Sequence, residues 1–591
     1  MRRWTYERAS DVTSTPVSPR APAWIVLGRA GERVDAALLD ADGSELERRR
    51  VEASALCSWA AESEARWSPR WVWNDAPRWY AALLAGGVRI GRCHDLRLAH
   101  AILRDSALVP ESTGVRQAMA WDAAPHEAAP ATAPTLFDLD ESHQPAGLPS
   151  DLEEALAEFA RQREAIATSL DAGRLRLLIA AESAGALIAE ELRAAGVPWD
   201  VAEHDRILVE ILGERPPGGG QPARLAAAAS RVREALGDPS ASLDSQPKLL
   251  RSLHRVGVLV ESTSRWELAE QKHPVVEPLI EYKKLSRLLS ANGWAWLDEW
   301  VDDGRFRPVY VPGGVVTGRW ASSGGGALQL PRQLREAVRA DPGWMLVVAD
   351  VAQLEPRVLA AMASDTALAE AARGRDLYAG VVDSGAVATR QEAKIAMLGA
   401  MYGATTGESG RLVPRLRRAY PRAMGLVDEA ARKGEDGGVV STWLGRTSPP
   451  PSEEWSSAQS RATEAEASGA EETRAKRWAR DRGRFTRNFV VQGTAAEWAL
   501  AWLADLRGRL EALPPVGVEH SAPRSGPVFA ARPHLAFFLH DEVIVHTPAS
   551  LADQVADAVT DAAAAAGRLL FGDFPLDFLL DVRISDTALK A

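Results

Sequence analysis

The side chains most able to do chemistry fall in a few short stretches. In Val347-Val348-Ala349-Asp350-Val351-Ala352-Gln353-Leu354-Glu355-Pro356-Arg357, three apolar residues read as a buried strand ending on the carboxylate of Asp350. Gln353, Glu355 and Arg357 follow on the next turn. An acid at a strand tip can hold a metal or a proton, or it can cap the following helix. A second acidic site lies in Leu535-Ala536-Phe537-Phe538-Leu539-His540-Asp541-Glu542-Val543-Ile544-Val545-His546, an apolar hairpin with His540, Asp541 and Glu542 exposed at its bend. Two acids in an apolar turn are costly unless a cation binds them. Taken alone, the motif also fits a solvated turn.

Between them runs Arg390-Gln391-Glu392-Ala393-Lys394-Ile395-Ala396-Met397-Leu398-Gly399-Ala400-Met401-Tyr402-Gly403, where positions 390, 394, 398 and 402 share one helix face. Arg390 and Lys394 repel each other across one turn, so their common face suits an anion such as a triphosphate. Leu398 and Tyr402 continue it as an apolar platform for a base. Further on, Arg484, Asn488 and Gln492 form a polar stripe at the same spacing on an otherwise apolar helix, as contact with bases or sugars in a groove requires. Upstream, Thr317-Gly318-Arg319-Trp320-Ala321-Ser322-Ser323 combines small residues that allow close backbone approach with an arginine suited to a groove or phosphate.

The elements that must position these groups belong to a chain of 591 residues, long enough for roughly three or four domains. Its 46% hydrophobic and 25% charged residues are those of a soluble globular protein, and no apolar run reaches the roughly 18 residues of a membrane span. Met1-Arg2-Arg3 has no apolar segment behind it, and Cys57 and Cys93 make neither a disulfide framework nor a zinc site, so a cytoplasmic setting is expected. The net charge of -11 argues against a uniformly basic nucleic-acid coat but leaves local patches open. One such run, Arg474 to Arg487, holds seven basic residues against Asp481 alone, although a solvated helix face or loop is the better account of such a run.

Residues 1–21 read as a flexible tail. Strands are expected at Trp24 to Leu27 and Val34 to Asp40, closed by the turn Asp42-Gly43, and again at Trp71 to Trp73; helices are expected at 77–86 and 94–103. A Pro/Ala-rich linker spans 123–150. Its apolar island Leu136-Phe137-Asp138-Leu139 is either a loop pinned to its own domain or a docking peptide for a sliding clamp. From Asp151 to about Asn292 the pattern is helical, with a capping residue ahead of the short helix at Gln246.

In their order along the chain the motifs resemble those of family A DNA polymerases, the DNA polymerase I type. Asp350 to Arg357 is similar to the family's first palm motif, usually Asp-Tyr-Ser-Gln-Ile-Glu-Leu-Arg. Arg390 to Gly403 resembles the fingers helix, and His540-Asp541-Glu542 the last palm motif. The resemblance begins near Glu182 and takes in Glu281-Tyr282-Lys283-Lys284-Leu285 in a thumb. It implies an α/β multidomain fold: a ribonuclease H-like, 3′–5′ exonuclease-type domain at 22–176, then a right-hand polymerase domain at 177–591. Within the latter the thumb would span about 177–300, the palm about 301–384 and 508–591, and the fingers about 385–507.

The activity implied is template-directed addition of dNTPs to a primer-template DNA, in DNA replication or repair, by a monomer with no membrane attachment. Asp350 and Asp541 would hold two Mg²⁺ ions, with Glu542 completing the catalytic set. Arg390 and Lys394 would neutralise the triphosphate, and Lys394 would also protonate the leaving pyrophosphate. Gln353 and Leu398 would line the nucleotide site, Glu355 would exclude a 2′-hydroxyl, Tyr402 would pack by the templating position and His540 would meet the primer end. Arg319, Arg484, Asn488, Gln492 and Lys283 would contact DNA. The chain departs from the pattern in Leu398, where the family carries an aromatic residue, in Val351-Ala352 for Tyr-Ser, and in Pro356.

The first domain departs further. Proofreading chemistry needs four carboxylates around two metals, yet Trp24 to Arg29 lacks Asp-x-Glu, and Arg78 stands where Asn74-x-x-x-Asp requires its acid. Phe159-Ala160-Arg161-Gln162-Arg163 takes the place of Tyr-x-x-x-Asp, and Asp95 suits a structural position. The expectation is a domain that keeps the fold without the reaction, and no separate 5′-nuclease domain. Two other readings share parts of the pattern. Glu355 argues against a single-subunit phage-type RNA polymerase, and the joint presence of Asp350, Asp541, Arg390 and Lys394 argues against a non-catalytic DNA-binding scaffold.

Overall fold

A computed structural model describes residues 21–122, 147–326, 330–404, 407–464 and 467–589. Residues 1–20, most of the 123–150 linker with its Leu136-Phe137 island, and Leu328-Gln329 lie outside the described residues.

In the first domain, alternating apolar residues build β1 (Trp24–Ala30) and β2 (Arg33–Leu39), which fold back at Gly31, a turn position with φ of +64°. Asp42-Gly43 leads onward into β3 (Glu45–Glu52), a strand that sequence periodicity hides because its residues are nearly all charged and exposed. It is held on β2 by contacts such as Arg50 to Asp35 at 2.7 Å. The parallel strands β4 (Arg70–Trp73) and β5 (Arg92–Asp95) complete a sheet of order β3-β2-β1-β4-β5, the ribonuclease H-like arrangement expected. The helix expected from residue 94 starts at Leu96 instead; Asp95 ends β5 and caps that helix by accepting from the Leu98 N–H at 3.0 Å. Its other oxygen accepts from the Ala76 N–H at 2.7 Å. Burial first, and then the nearby Asp75, pushes its carboxyl up to about 7.

A four-stranded antiparallel sheet forms the floor of the second domain, in the order His534–Leu539, Glu542–Pro548, Trp344–Val351, Leu580–Ser585. Its central strand is nearly continuously apolar because both faces are covered, one of them by Val555, Val559 and Ala562 of helix Ala552–Phe571. A fully buried valine such as Val555 or Val559 contributes about 1.5–3 kcal/mol. The long helix Gly469–Ala512 opens with a capping box between Ser468 and Glu471. Its later turns bury Trp498, Trp502 and Leu506 in the core beneath the sheet, while its first turns carry the exposed part of the Arg474–Arg487 run. In the helical region between the two sheets, Ser245 occupies the cap position before Gln246–Arg255 without making a side-chain capping bond. Among the described residues, no helix is long and apolar enough to cross a membrane.

Candidate active site

Asp350 lies one residue before the end of strand Trp344–Val351, directly opposite Glu542 on one neighbouring strand and Asp581 on the other. Strand Glu542–Pro548 follows a two-residue turn, His540-Asp541. The Val351 N–H donates to the Asp541 carbonyl at 2.9 Å, which ties the turn to the strand end that carries Asp350. Asp350 is therefore not a helix cap. That position belongs to Gln353, left-handed at φ +50°, ahead of helix Leu354–Met362. Of the five non-glycine residues with positive φ among the described residues, Gln353 and His540 (φ +56°) both sit beside the two carboxylates. Such conformations cost about 1–3 kcal/mol each and persist where the surroundings impose them. For Gln353 those surroundings are Asp376, which accepts from its amide at 3.1 Å, and the Leu377 N–H, which donates to its oxygen at 3.2 Å.

Glu542 differs from the expectation of an acid exposed at the bend. Only 2% of it is accessible, and it forms a two-pronged ion pair with Arg335, one contact being 2.7 Å. The alternation of strand side chains separates it from Asp541, and the buried guanidinium holds it in place.

Glu355 accepts a hydrogen bond from Arg319 at 2.5 Å and another from the Tyr402 hydroxyl at 3.0 Å. Burial, and next the Glu355 charge, raises the Tyr402 phenol to about 12, so it remains a donor at neutral pH. Arg319 and Glu355 border a cavity of about 290 Å³ whose walls also include Gln353, Leu398, His540 and Asp541. Burial, with Arg319 adding to it, lowers the His540 imidazole to about 4, which leaves the ring neutral at physiological pH.

Helix Arg390–Tyr402 overlooks this cavity. A capping box of Thr389 and Glu392 starts it, and Gly403, at φ +73°, ends it where an added Cβ would meet Arg484 Cγ at 2.8 Å. Lys394 is exposed, Leu398 reaches the cavity wall, and Tyr402 spans to Glu355. Arg390 pairs with Asp376 at 2.8 Å and lies over the Tyr378 ring at 5.6 Å. Along the long helix, Arg484 pairs with Asp481, Asn488 is half-buried, and the Gln492 side-chain oxygen accepts from Thr317 at 3.1 Å. Lys283 is remote from this cluster; its amine donates to Thr263 in a separate basic hollow with Lys284 and Arg287.

Sequence reasoning missed Asp376, Tyr378 and Arg335. Asp376 carried a readable signal, since it caps helix Leu377–Asp383 through the Ala379 N–H at 2.8 Å. Arg335 carried none, because its partner is 207 residues away. Among the described residues no three His, Cys, Asp or Glu side chains gather as a metal site. Where the two central strands meet the His540-Asp541 turn, Asp350 and Asp541 offer hard oxygen ligands that would fit Mg²⁺ if water and substrate phosphates completed its octahedron.

The family model for DNA polymerase family A matches residues 254–585, more than half of the chain. The chain belongs to that family. The thermostable DNA polymerase I of Thermus aquaticus is 25% identical over 467 residues, a match covering 73% of this chain and 47% of that protein. DNA polymerase I of Chloroflexus aurantiacus is 27% identical over 347 residues, covering 54% and 32%. This family A chain thus spans about half or less of the length of those curated relatives. Its fold is similar to the POL domain of Pol1 from M. smegmatis, solved in complex with DNA primer-template and dNTP, with a TM-score of 0.65, 16% identity and 97% of each chain covered.

Proposed function

We propose that the chain is a template-directed DNA polymerase that adds dNTPs to a primer 3′-hydroxyl by two-metal phosphoryl transfer, in DNA replication or repair. The observation that carries this reading is the joining of Asp541 to the strand end of Asp350, facing a cavity bordered by Glu355 and Leu398. Asp350 and Asp541 would hold the Mg²⁺ ions, which when bound activate the primer hydroxyl and neutralise the triphosphate. Arg390 and Lys394 take the β- and γ-phosphates, and Lys394 delivers a proton to the departing pyrophosphate. The Arg390–Asp376 pair is exposed and worth only about 0–1 kcal/mol, so exchanging Asp376 for a triphosphate costs little. Glu355, held from two sides, blocks a 2′-hydroxyl; Gln353 and Leu398 line the nucleotide site, and Tyr402 sits by the template base. His540 meets the primer end as a neutral ring, while Arg319, Arg484, Asn488, Gln492 and Lys283 follow the DNA. Glu542 acts by fixing the strand behind Asp541 rather than by touching the substrate.

Domain limits at 22–176 and 177–591, a monomeric state and a cytoplasmic setting belong to the same proposal. So does the loss of proofreading. Arg29 and Arg78 lie together, with the Arg29 guanidinium donating to the Arg78 carbonyl at 3.0 Å. The Phe159–Arg163 stretch matched to the third exonuclease motif brings no acid. Helix Leu152–Thr168 runs along β1 so that Leu152 touches Gly28 while Phe159 packs at a tilt against Trp24 at the other end. Primer extension with dNTPs and with rNTPs tests the reading: dNTP-dependent extension is expected, and DNA binding with no extension, or equal use of rNTPs, would sink it. For proofreading, a labelled mismatched 3′ end should persist in Mg²⁺ without dNTPs.

A further inference from the structure

The ribonuclease H-like domain holds a second cavity, of about 670 Å³, at the end of β1 opposite Arg29 and Arg78. Trp24, Phe159, Ile166 and Ile179 supply its apolar wall, the two aromatic rings 5.0 Å apart. Arg70, Arg163 and Arg176 supply its charge, against the single acid Glu164. None of the three arginines has a carboxylate partner among the described residues, although arginines elsewhere in the chain are extensively paired. Arg70 lies over the Trp24 ring at 5.7 Å and donates to the Cys93 carbonyl at 3.2 Å; Arg163 lies over Phe159 at 5.6 Å and donates to the Asp42 carbonyl at 2.6 Å. These two guanidiniums are thus oriented by rings and backbone, with part of each fork left over, and Arg176 is exposed. The Trp24 indole N–H is buried and has no acceptor. His94, bonded to Gln162 at 2.7 Å, is neutral because burial lowers it to about 4.

A hollow within the ordinary size range of ligand pockets, lined by two tilted aromatic rings and by guanidiniums without carboxylate partners among the described residues, has the chemistry to take an aromatic anion. We propose that this cavity binds a nucleoside phosphate, its base against the Trp24–Phe159–Ile179 wall and its phosphate on Arg163 and Arg176. The site is separate from the polymerase cavity and from the position of the lost exonuclease chemistry. The phosphate would belong either to a free nucleotide or to the 5′ end of a DNA strand.

Photolabelling of the full chain with 8-azidoadenosine 5′-monophosphate, followed by peptide mapping, tests this. Label is expected on the segments around Trp24 or Phe159, and Arg176→Glu together with Arg163→Glu should reduce it about tenfold or more, each lost charge-assisted bond being of that order. Arg176→Glu alone, at an exposed side chain, keeps the test decisive if the double variant does not fold. Competition by free dAMP but not by a 5′-phosphorylated oligonucleotide identifies the nucleotide as the source, and the reverse identifies a strand end. Label confined to the polymerase cavity, equal labelling by the unphosphorylated nucleoside, or label undiminished by Arg176→Glu would overturn the proposal.

Discussion

The sharpest consequence of the palm geometry concerns Arg335. It is 5% exposed, its partner Glu542 is 2% exposed, and Glu542 stands directly across the strand pair from Asp350. Replacing Arg335 with Met removes both prongs of this ion pair from a buried carboxylate that stands across from a second one. Breaking a buried pair from one side costs about 3–5 kcal/mol, whereas replacing both partners by apolar groups is near neutral. Arg335→Met should therefore lower stability by about 3–5 kcal/mol, and Arg335→Met/Glu542→Leu should recover most of it. Urea unfolding checks this through a shift of the midpoint at unchanged slope. Primer extension adds a second readout, because Glu542→Gln keeps one of the two acceptors toward Arg335. Activity within about tenfold of wild type is expected if Glu542 only positions the strand, since one lost charge-assisted bond is worth about that factor. An Arg335→Met variant within about 0.5 kcal/mol of wild type, the range of unremarkable surface changes, would refute the reasoning.

Glu355→Ala should raise incorporation of ribonucleotides by about a hundredfold relative to deoxyribonucleotides, measured as the ratio of kcat/KM values. Arg390→Ala should raise the KM for dNTP more than it lowers kcat, since its exposed pair with Asp376 contributes little to the fold. Acid titration has opposing parts. His94 and His534 are lowered to about 4 by burial, so stability they contribute at neutral pH is lost as pH falls from the unfolded value near 6.5 toward 4. Asp95, Glu190 and Glu497, raised to about 7 by burial, add stability over much of the same interval because the folded state takes their protons first. The whole protein should show a shallow pH profile, while the difference between wild type and His94→Asn, followed by thermal unfolding, should isolate a loss on acidification of up to about 3 kcal/mol.

Much of the site was legible because it is local. A short apolar run ending in Asp350, the four-residue spacing from Arg390 to Tyr402, and an apolar hairpin around His540-Asp541 are patterns that a strand, a helix and a turn impose within a dozen residues. What was hidden depends on tertiary contact. Arg335 and Glu542 meet only because the sheet joins distant strands, and Gln353 adopts φ +50° only because Asp376 and Leu377 hold its side chain. β3 was missed because exposed Glu and Arg on an edge strand show no apolar alternation.

The central claim is that Asp350 and Asp541 together carry nucleotide addition. The most direct measurement is single-turnover primer extension in Mg²⁺ by Asp350→Asn and Asp541→Asn, with primer-template affinity measured on the same samples. Each variant should keep DNA binding within a few fold and lose extension by about a thousandfold or more, the scale of a main electrostatic contribution to the transition state. Extension within about tenfold of wild type in either variant, less than one such contribution is worth, would contradict the assignment.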